Sequence, residues 1–218
     1  MYKTIQNNTR ERDELLLPWT YWDNAFSKGE LTKMCEYFST QGVKRGNVIG
    51  DKFGKLNTSQ HINEEIRVAN IRLYQYNPKN IETNWIFQRM NYIIESLNNQ
   101  FYNFNINGYD YFQYAEYEGY ENGRQEFHMD TIMGGSKPHN EHGTRKLSLT
   151  VLLNEPGKDF EGGDLEFNLE QEKNSISIPG MAAGRIVCFP SFMLHRVTPV
   201  TKGTRKSLVV WALGPKFI

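Results

Sequence analysis

The stretch Lys146-Leu147-Ser148-Leu149-Thr150-Val151-Leu152-Leu153 constrains the fold of this chain more than any other. Successive side chains of a strand point to opposite faces. Leu147, Leu149, Val151 and Leu153 therefore share a wholly apolar side, and Lys146, Ser148, Thr150 and Leu152 share a mixed one. One greasy and one half-polar face suit the wall of a barrel that encloses a polar ligand. An ordinary solvent-facing strand would carry the same pattern, so the neighbouring stretches must decide.

Those neighbours also read as strands. Residues 71–76 alternate and are closed by Pro78. Residues 112–117 are aromatic-rich, and the glycines of 119–123 turn them back into 125–130. Residues 162–167, 175–178, 185–189, 193–197 and 205–213 continue the series with Gly and Pro between them. Many short strands with regular turns predict an antiparallel sandwich or barrel. Two helices flank it. Ser27-Lys28-Gly29-Glu30 is a capping box, followed at helical spacing by Leu31, Met34, Cys35 and Phe38 and ending near Gly42. Ile86, Met90, Ile93, Ile94 and Leu97 mark a second helix over about 84–99. Residues 47–70 read as short strands and loops. The fold class expected is mainly β with flanking helices (α+β). The 218 residues form one domain, a helix-rich part over 1–108 packing on a barrel over 109–218.

Charge narrows the function. The 25 basic residues balance the 25 acidic ones, and no Lys/Arg-rich run appears, which argues against a nucleic-acid partner. Cys35 and Cys188 are too far apart for a CxxC zinc site and read as small buried thiols in a reducing compartment. The first residues mix charges of both signs and resemble neither a signal nor a transit peptide. With no stretch of membrane-spanning length, a cytoplasmic protein is expected.

The chemistry concentrates in Phe127-His128-Met129-Asp130. His128 and Asp130, two apart, project from one side of a strand, and His195 comes from a neighbouring strand-like segment. Two imidazoles and one carboxylate on one flank of a metal leave the opposite positions open, the geometry of non-haem Fe(II) oxygenases. An HxD pair alone is weak; the distal His and a basic residue ten positions beyond it give it weight. On the last strand Arg205, Ser207, Val209 and Trp211 share a face. A guanidinium beside a hydroxyl is a receptor for a carboxylate, here the far one of a five-carbon 2-oxo acid held by the metal. His139 and His142 lie in a polar loop and are read as a flap beside the metal rather than as ligands.

His128-x-Asp130, His195 and Arg205-x-Ser207 resemble the Fe(II)/2-oxoglutarate-dependent dioxygenases. Within them the chain is most similar to the prolyl hydroxylase-like branch, in its compact bacterial and phage form. RKLSLTVLLNEP, FEGGDLEF and GRIVCFPSFMLHRVTPVTKGTRKSLVVWALGP carry the likeness. The resemblance implies a double-stranded β-helix (jelly-roll) core, with His128, Asp130 and His195 as catalytic Fe(II) ligands. It implies Arg205 on the distal carboxylate of 2-oxoglutarate, with Tyr117 and Ser148 in the wall of the same pocket and Ser207 assisting. O2 is the second co-substrate, and an ascorbate requirement is left open. Two positions depart from the pattern: Leu152 stands where animal relatives place a tyrosine, and Gln125 replaces an aromatic that would touch substrate. Asp130 argues against halogenation, where a small residue frees a halide site, and Trp211 stands where DNA-repair relatives carry a second arginine.

The implied reaction hydroxylates an aliphatic C–H, in a prolyl residue of a peptide or protein or in a proline-like small molecule, and releases succinate and CO2. The alternative is a non-catalytic metal-binding jelly roll that recognises a ligand. No membrane partner is expected, and oligomeric state is left open.

Overall fold

The structure, a computed structural model, describes residues 16–40, 42–46, 62–131, 143–169, 175–178 and 180–216. Strand β1 (Thr20–Trp22) leads to helix α1 (Lys28–Ser39), then β2 (Lys44–Arg45), β3 (Arg67–Val68) and β4 (Asn70–Tyr74). Helix α2 (Ile81–Leu97) runs on into a π-helical turn, Asn98–Tyr102. The rest is strand: β5 (Gly108–Tyr109), β6 (Phe112–Glu118), β7 (Arg124–His128), β8 (Thr144–Leu152), β9 (Phe160–Gly162), β10 (Leu165–Phe167), β11 (Ile176–Ser177), β12 (Ile186–Pro190), β13 (His195–Val197) and β14 (Val200–Gly214). The larger sheet runs β1-β12-β8-β14-β6-β4-β2, with β5 and β9 also on β14; the smaller runs β11-β10-β13-β7-β3. Their strands pair antiparallel, and the two sheets make the expected jelly roll.

The α1 start follows from its sequence. Ser27 Oγ accepts from Glu30 N–H at 3.3 Å, and Glu30 Oε2 accepts from Ser27 N–H at 2.8 Å. Helix α2 begins before the expected boundary, because its first turn is exposed at Ile81 and carries no apolar stripe to read. Among the described residues no helix is long and apolar enough to cross a membrane.

Register sorts the two faces of the large sheet. Trp211 pairs with Ser148, Val209 with Thr150 and Gln113, Ser207 with Leu152 and Ala115, and Arg205 with Tyr117. Directly opposed residues share a face, so these line the interior of the roll. The other face carries Leu147, Leu149, Val151, Leu208, Val210 and Tyr114, all buried against the two helices with Phe38, Met34, Met90 and Ile93. Each such side chain withdrawn from water contributes roughly 1.5–3 kcal/mol. The half-polar face of β8 is thus interior wall and not a solvated surface.

Two expected strands change on folding. Residues 162–167 divide between β9 and β10, which belong to different sheets. Gly162 (φ 74°) and Gly163 (φ 67°) adopt the left-handed backbone that makes the break. Strand β8 also carries an irregularity, since Ala212 pairs with Leu147 but Leu213 pairs with Arg145. Lys146 is the extra residue of that bulge. Arg145 and not Lys146 reaches the interior cavity, which corrects the face assigned to Lys146 by alternation.

Candidate metal centre

His128 ends β7 and stands opposite His195, the first residue of β13, so pairing in the small sheet brings the imidazoles together with ring centroids 4.2 Å apart. Each ring donates Nδ1–H to a backbone carbonyl two residues earlier, Glu126 O and Met193 O, both at 2.9 Å. Those bonds leave the Nε2 lone pairs pointing at a common centre.

Asp130 reaches the centre by a different route from the one expected. Strand β7 stops at His128, so strand alternation does not place the carboxylate. The carbonyl of Ser191, in the turn after β12, accepts from the N–H groups of both Asp130 and Thr131 at 2.9 Å. Asp130 Oδ1 then lies 3.5 Å from His128 Nε2, and Oδ2 lies 3.7 Å from His195 Nε2. The three ligand atoms fall within 4.8 Å of one another. Two imidazoles and a carboxylate, facing inward with their outer atoms already hydrogen-bonded, form a donor set that fits a divalent first-row metal.

The electrostatics suit that role. Burial raises the Asp130 carboxyl, but the two imidazoles and Arg145 outweigh it and hold the group well below the usual carboxylate range. Burial, reinforced by the neighbouring His128, pushes His195 down to about 4, so its ring is neutral near pH 7.

A cavity of about 260 Å³ opens beside the triad. Arg205, Ser207 and Tyr117 line it, with Trp211, Val209, Thr150, Gln125 and Arg145. Arg205 is only 2% exposed, and burial lowers its affinity for its proton. Its Nη1 donates to Ser207 Oγ at 3.0 Å, and Cζ stands 5.5 Å from the Tyr117 ring. Among the described residues it makes no ion pair. A buried guanidinium in that state is a strong receptor for an anion.

Ser148 sits elsewhere than the pocket wall. It is fully buried, donates to Asp130 Oδ2 at 2.6 Å and lies 2.9 Å from Ser191 Oγ. Leu152 is packed in the interior cluster with Phe160 and Val200. His139 and His142 lie outside the described residues.

Arg145 was not legible as a site residue. Its guanidinium lies over Trp211, with Cζ 3.7 Å from the ring centroid, and Nη2 donates to Asp110 Oδ2 at 3.0 Å. Arg145 Nε and Trp211 Nε1 are buried without a hydrogen-bond partner among the described residues. The one available signal was an arginine immediately before the stretch 146–153, whose mixed face was expected to line a pocket.

Residues 112–213 match the profile of the 2OG-Fe(II) oxygenase superfamily. A PKHD-type hydroxylase of Synechococcus sp. (strain CC9902) is 42% identical over 74 residues, 34% of this chain and 32% of that protein. PKHD-type hydroxylase YbiX of Escherichia coli O157:H7 is 36% identical over 87 residues, 39% of this chain and 35% of that protein. The chain thus matches about a third of the length of these curated relatives. Among solved structures, a Pseudomonas putida prolyl-4-hydroxylase superposes with TM-score 0.64 at 18% identity, covering 91% of this chain and 94% of that one. A Trichoplax adhaerens prolyl hydroxylase, solved with a hypoxia inducible factor peptide fragment, gives TM-score 0.66 at 18% identity over 90% and 83%. The matched segment holds the ligand triad and the buried Arg205, and it is over this segment that the chain is similar to the 2OG-Fe(II) oxygenase superfamily.

Proposed function

We propose that this chain is an Fe(II)- and 2-oxoglutarate-dependent hydroxylase acting on an aliphatic C–H, R–H + O2 + 2-oxoglutarate giving R–OH + succinate + CO2. The observation that carries the reading is one cavity lined by both the inward-facing triad and the buried, carboxylate-free guanidinium of Arg205. Bound Fe(II) would supply the oxygen chemistry. His128, Asp130 and His195 would hold it by one flank, and Arg205 with Ser207 would take the distal carboxylate of 2-oxoglutarate. Val209, Thr150 and Leu165 also line the cavity.

The substrate we infer is a prolyl residue of a peptide or protein. Trp211 and Tyr111 offer flat apolar surface at the cavity, with the Arg145 guanidinium beside them. PKHD-type relatives and the fold shared with prolyl hydroxylases support this choice. Helices α1 and α2 would act as a buttress to the barrel within a single domain, while β1 to β4 of the same 1–108 stretch are strands of its two sheets. Anaerobically Fe(II)-loaded protein, exposed to O2 and 2-oxoglutarate with prolyl peptides, should form succinate and a product heavier by one oxygen. Absence of both, against free proline and cell-lysate proteins as well, would refute the reading.

A further inference from the structure

Gln125 touches the triad in a way that bears on co-substrate binding. Its Nε2 lies 2.9 Å from His128 Nε2, and its Oε1 accepts from the Tyr117 hydroxyl at 3.5 Å. Glu126 O takes the Nδ1 proton of His128, so Nε2 carries a lone pair and the Gln125 amide donates to it. That lone pair is the one a metal requires. An ion and an amide proton cannot share it, so metal loading releases an N–H donor right beside the metal position. On the far side of Gln125 stands Tyr117, whose ring faces the Arg205 guanidinium. Arg205, Tyr117, Gln125 and His128 thus form a row, and all four line the same cavity. A five-carbon keto acid that meets a metal at His128 and reaches Arg205 with its far end must lie along that row.

We propose that Gln125 is a binding residue for the 2-oxo acid, its side-chain amide passing from His128 to the metal-side carboxylate of the co-substrate once metal is bound. The assignment rests on the function proposed above. It makes the binding ordered, since the donor is free for the acid only after the metal has displaced it.

Calorimetry on the full chain tests it in two steps, with Mn(II) as a redox-inert probe and then 2-oxoglutarate titrated into the Mn(II)-loaded protein. Gln125→Leu keeps the side chain's bulk and removes the donor; Gln125→Met is the second variant should the first not fold. Either is expected to bind Mn(II) at least as tightly as wild type, and 2-oxoglutarate about tenfold more weakly, the size of one hydrogen bond. Unchanged 2-oxoglutarate affinity overturns the proposal. So does weakened Mn(II) binding, because the amide would then be holding the imidazole in place. Wild-type Mn(II) protein that takes up no 2-oxoglutarate sinks the reading of the whole cavity, a result distinct from the other two.

Discussion

The Ser148 hydroxyl, on the large sheet, donates to Asp130 Oδ2 at 2.6 Å across the interior of the roll. This bond ties the segment after β7 to the large sheet at the metal position. Ser191 completes it, with its hydroxyl 2.9 Å from Ser148 and its carbonyl on the Asp130 backbone. The carboxylate is therefore aimed before any metal arrives. Partners behind a ligand of this sort typically account for about 10–100-fold in metal affinity. Ser148→Ala should weaken Mn(II) binding by about tenfold with the thermal transition little changed. A calorimetric titration showing wild-type affinity would contradict this role.

Arg205 should act on the co-substrate and not on the metal. Loss of a charge-assisted bond costs roughly 1.5–3 kcal/mol, so Arg205→Ala is expected to raise the 2-oxoglutarate KM at least about tenfold. Metal affinity should stay within about twofold. The check is the pair of measurements together, since a parallel loss of both would mean a collapsed cavity.

Gly163 offers a second handle on the same guanidinium. A Cβ at this position would lie 2.8 Å from Arg205 Cδ and 2.8 Å from Val200 Cγ2, and φ is +67°. Gly163→Ala carries roughly 1–2 kcal/mol of backbone strain and pushes on the Arg205 stem. We expect a lower melting temperature and a raised KM for 2-oxoglutarate. Steady-state kinetics with an unaltered KM would show that the arginine does not depend on this glycine.

Asp110 should act through Arg145. It fixes the guanidinium over Trp211, so Asp110→Asn leaves a hydrogen bond but removes the ion pair. Once a turnover substrate is identified, the variant should raise that substrate's KM several-fold and leave the KM for 2-oxoglutarate alone. A change confined to 2-oxoglutarate would reassign Arg145 to the co-substrate.

The metal-free protein should lose stability as pH falls. His195 titrates near 6.5 when unfolded and is pushed down to about 4 when folded. Between those values the unfolded chain binds a proton that the folded one refuses, so stability declines as pH drops from about 6.5 toward about 4. Melting temperatures of chelator-treated protein across that range provide the test, with His195→Gln as the variant whose slope should be shallower.

Much of this site could be read from local pattern. His128, Asp130 and His195 were identifiable as a ligand set by residue type and spacing, although the turn after β7 and not alternation delivers Asp130; Arg205, Ser207 and Trp211 were identifiable as one face of a strand, because alternation is built into the covalent geometry of an extended chain. The capping box at Ser27 was legible for the same reason, every partner lying within one turn. The run 162–167 reads as a single strand but breaks in two, because two adjacent glycines permit a straight path and a break alike. Arg145 escaped notice because a bulge shifts which residue faces inward, and a bulge is a property of the pairing with Leu213, not of the strand on its own.

Residue order alone thus settled which chemical groups were available and which neighbours along a strand point the same way, since those depend only on bonds a few atoms apart. The fold decided how they are aimed: Ser191 and Ser148 behind Asp130, Gln125 on His128, and Asp110 beneath Arg145. Apart from Gln125, three residues from His128, these contacts join residues distant in sequence, and their geometry comes from strand pairing and sheet packing, which exist only after the chain has closed on itself.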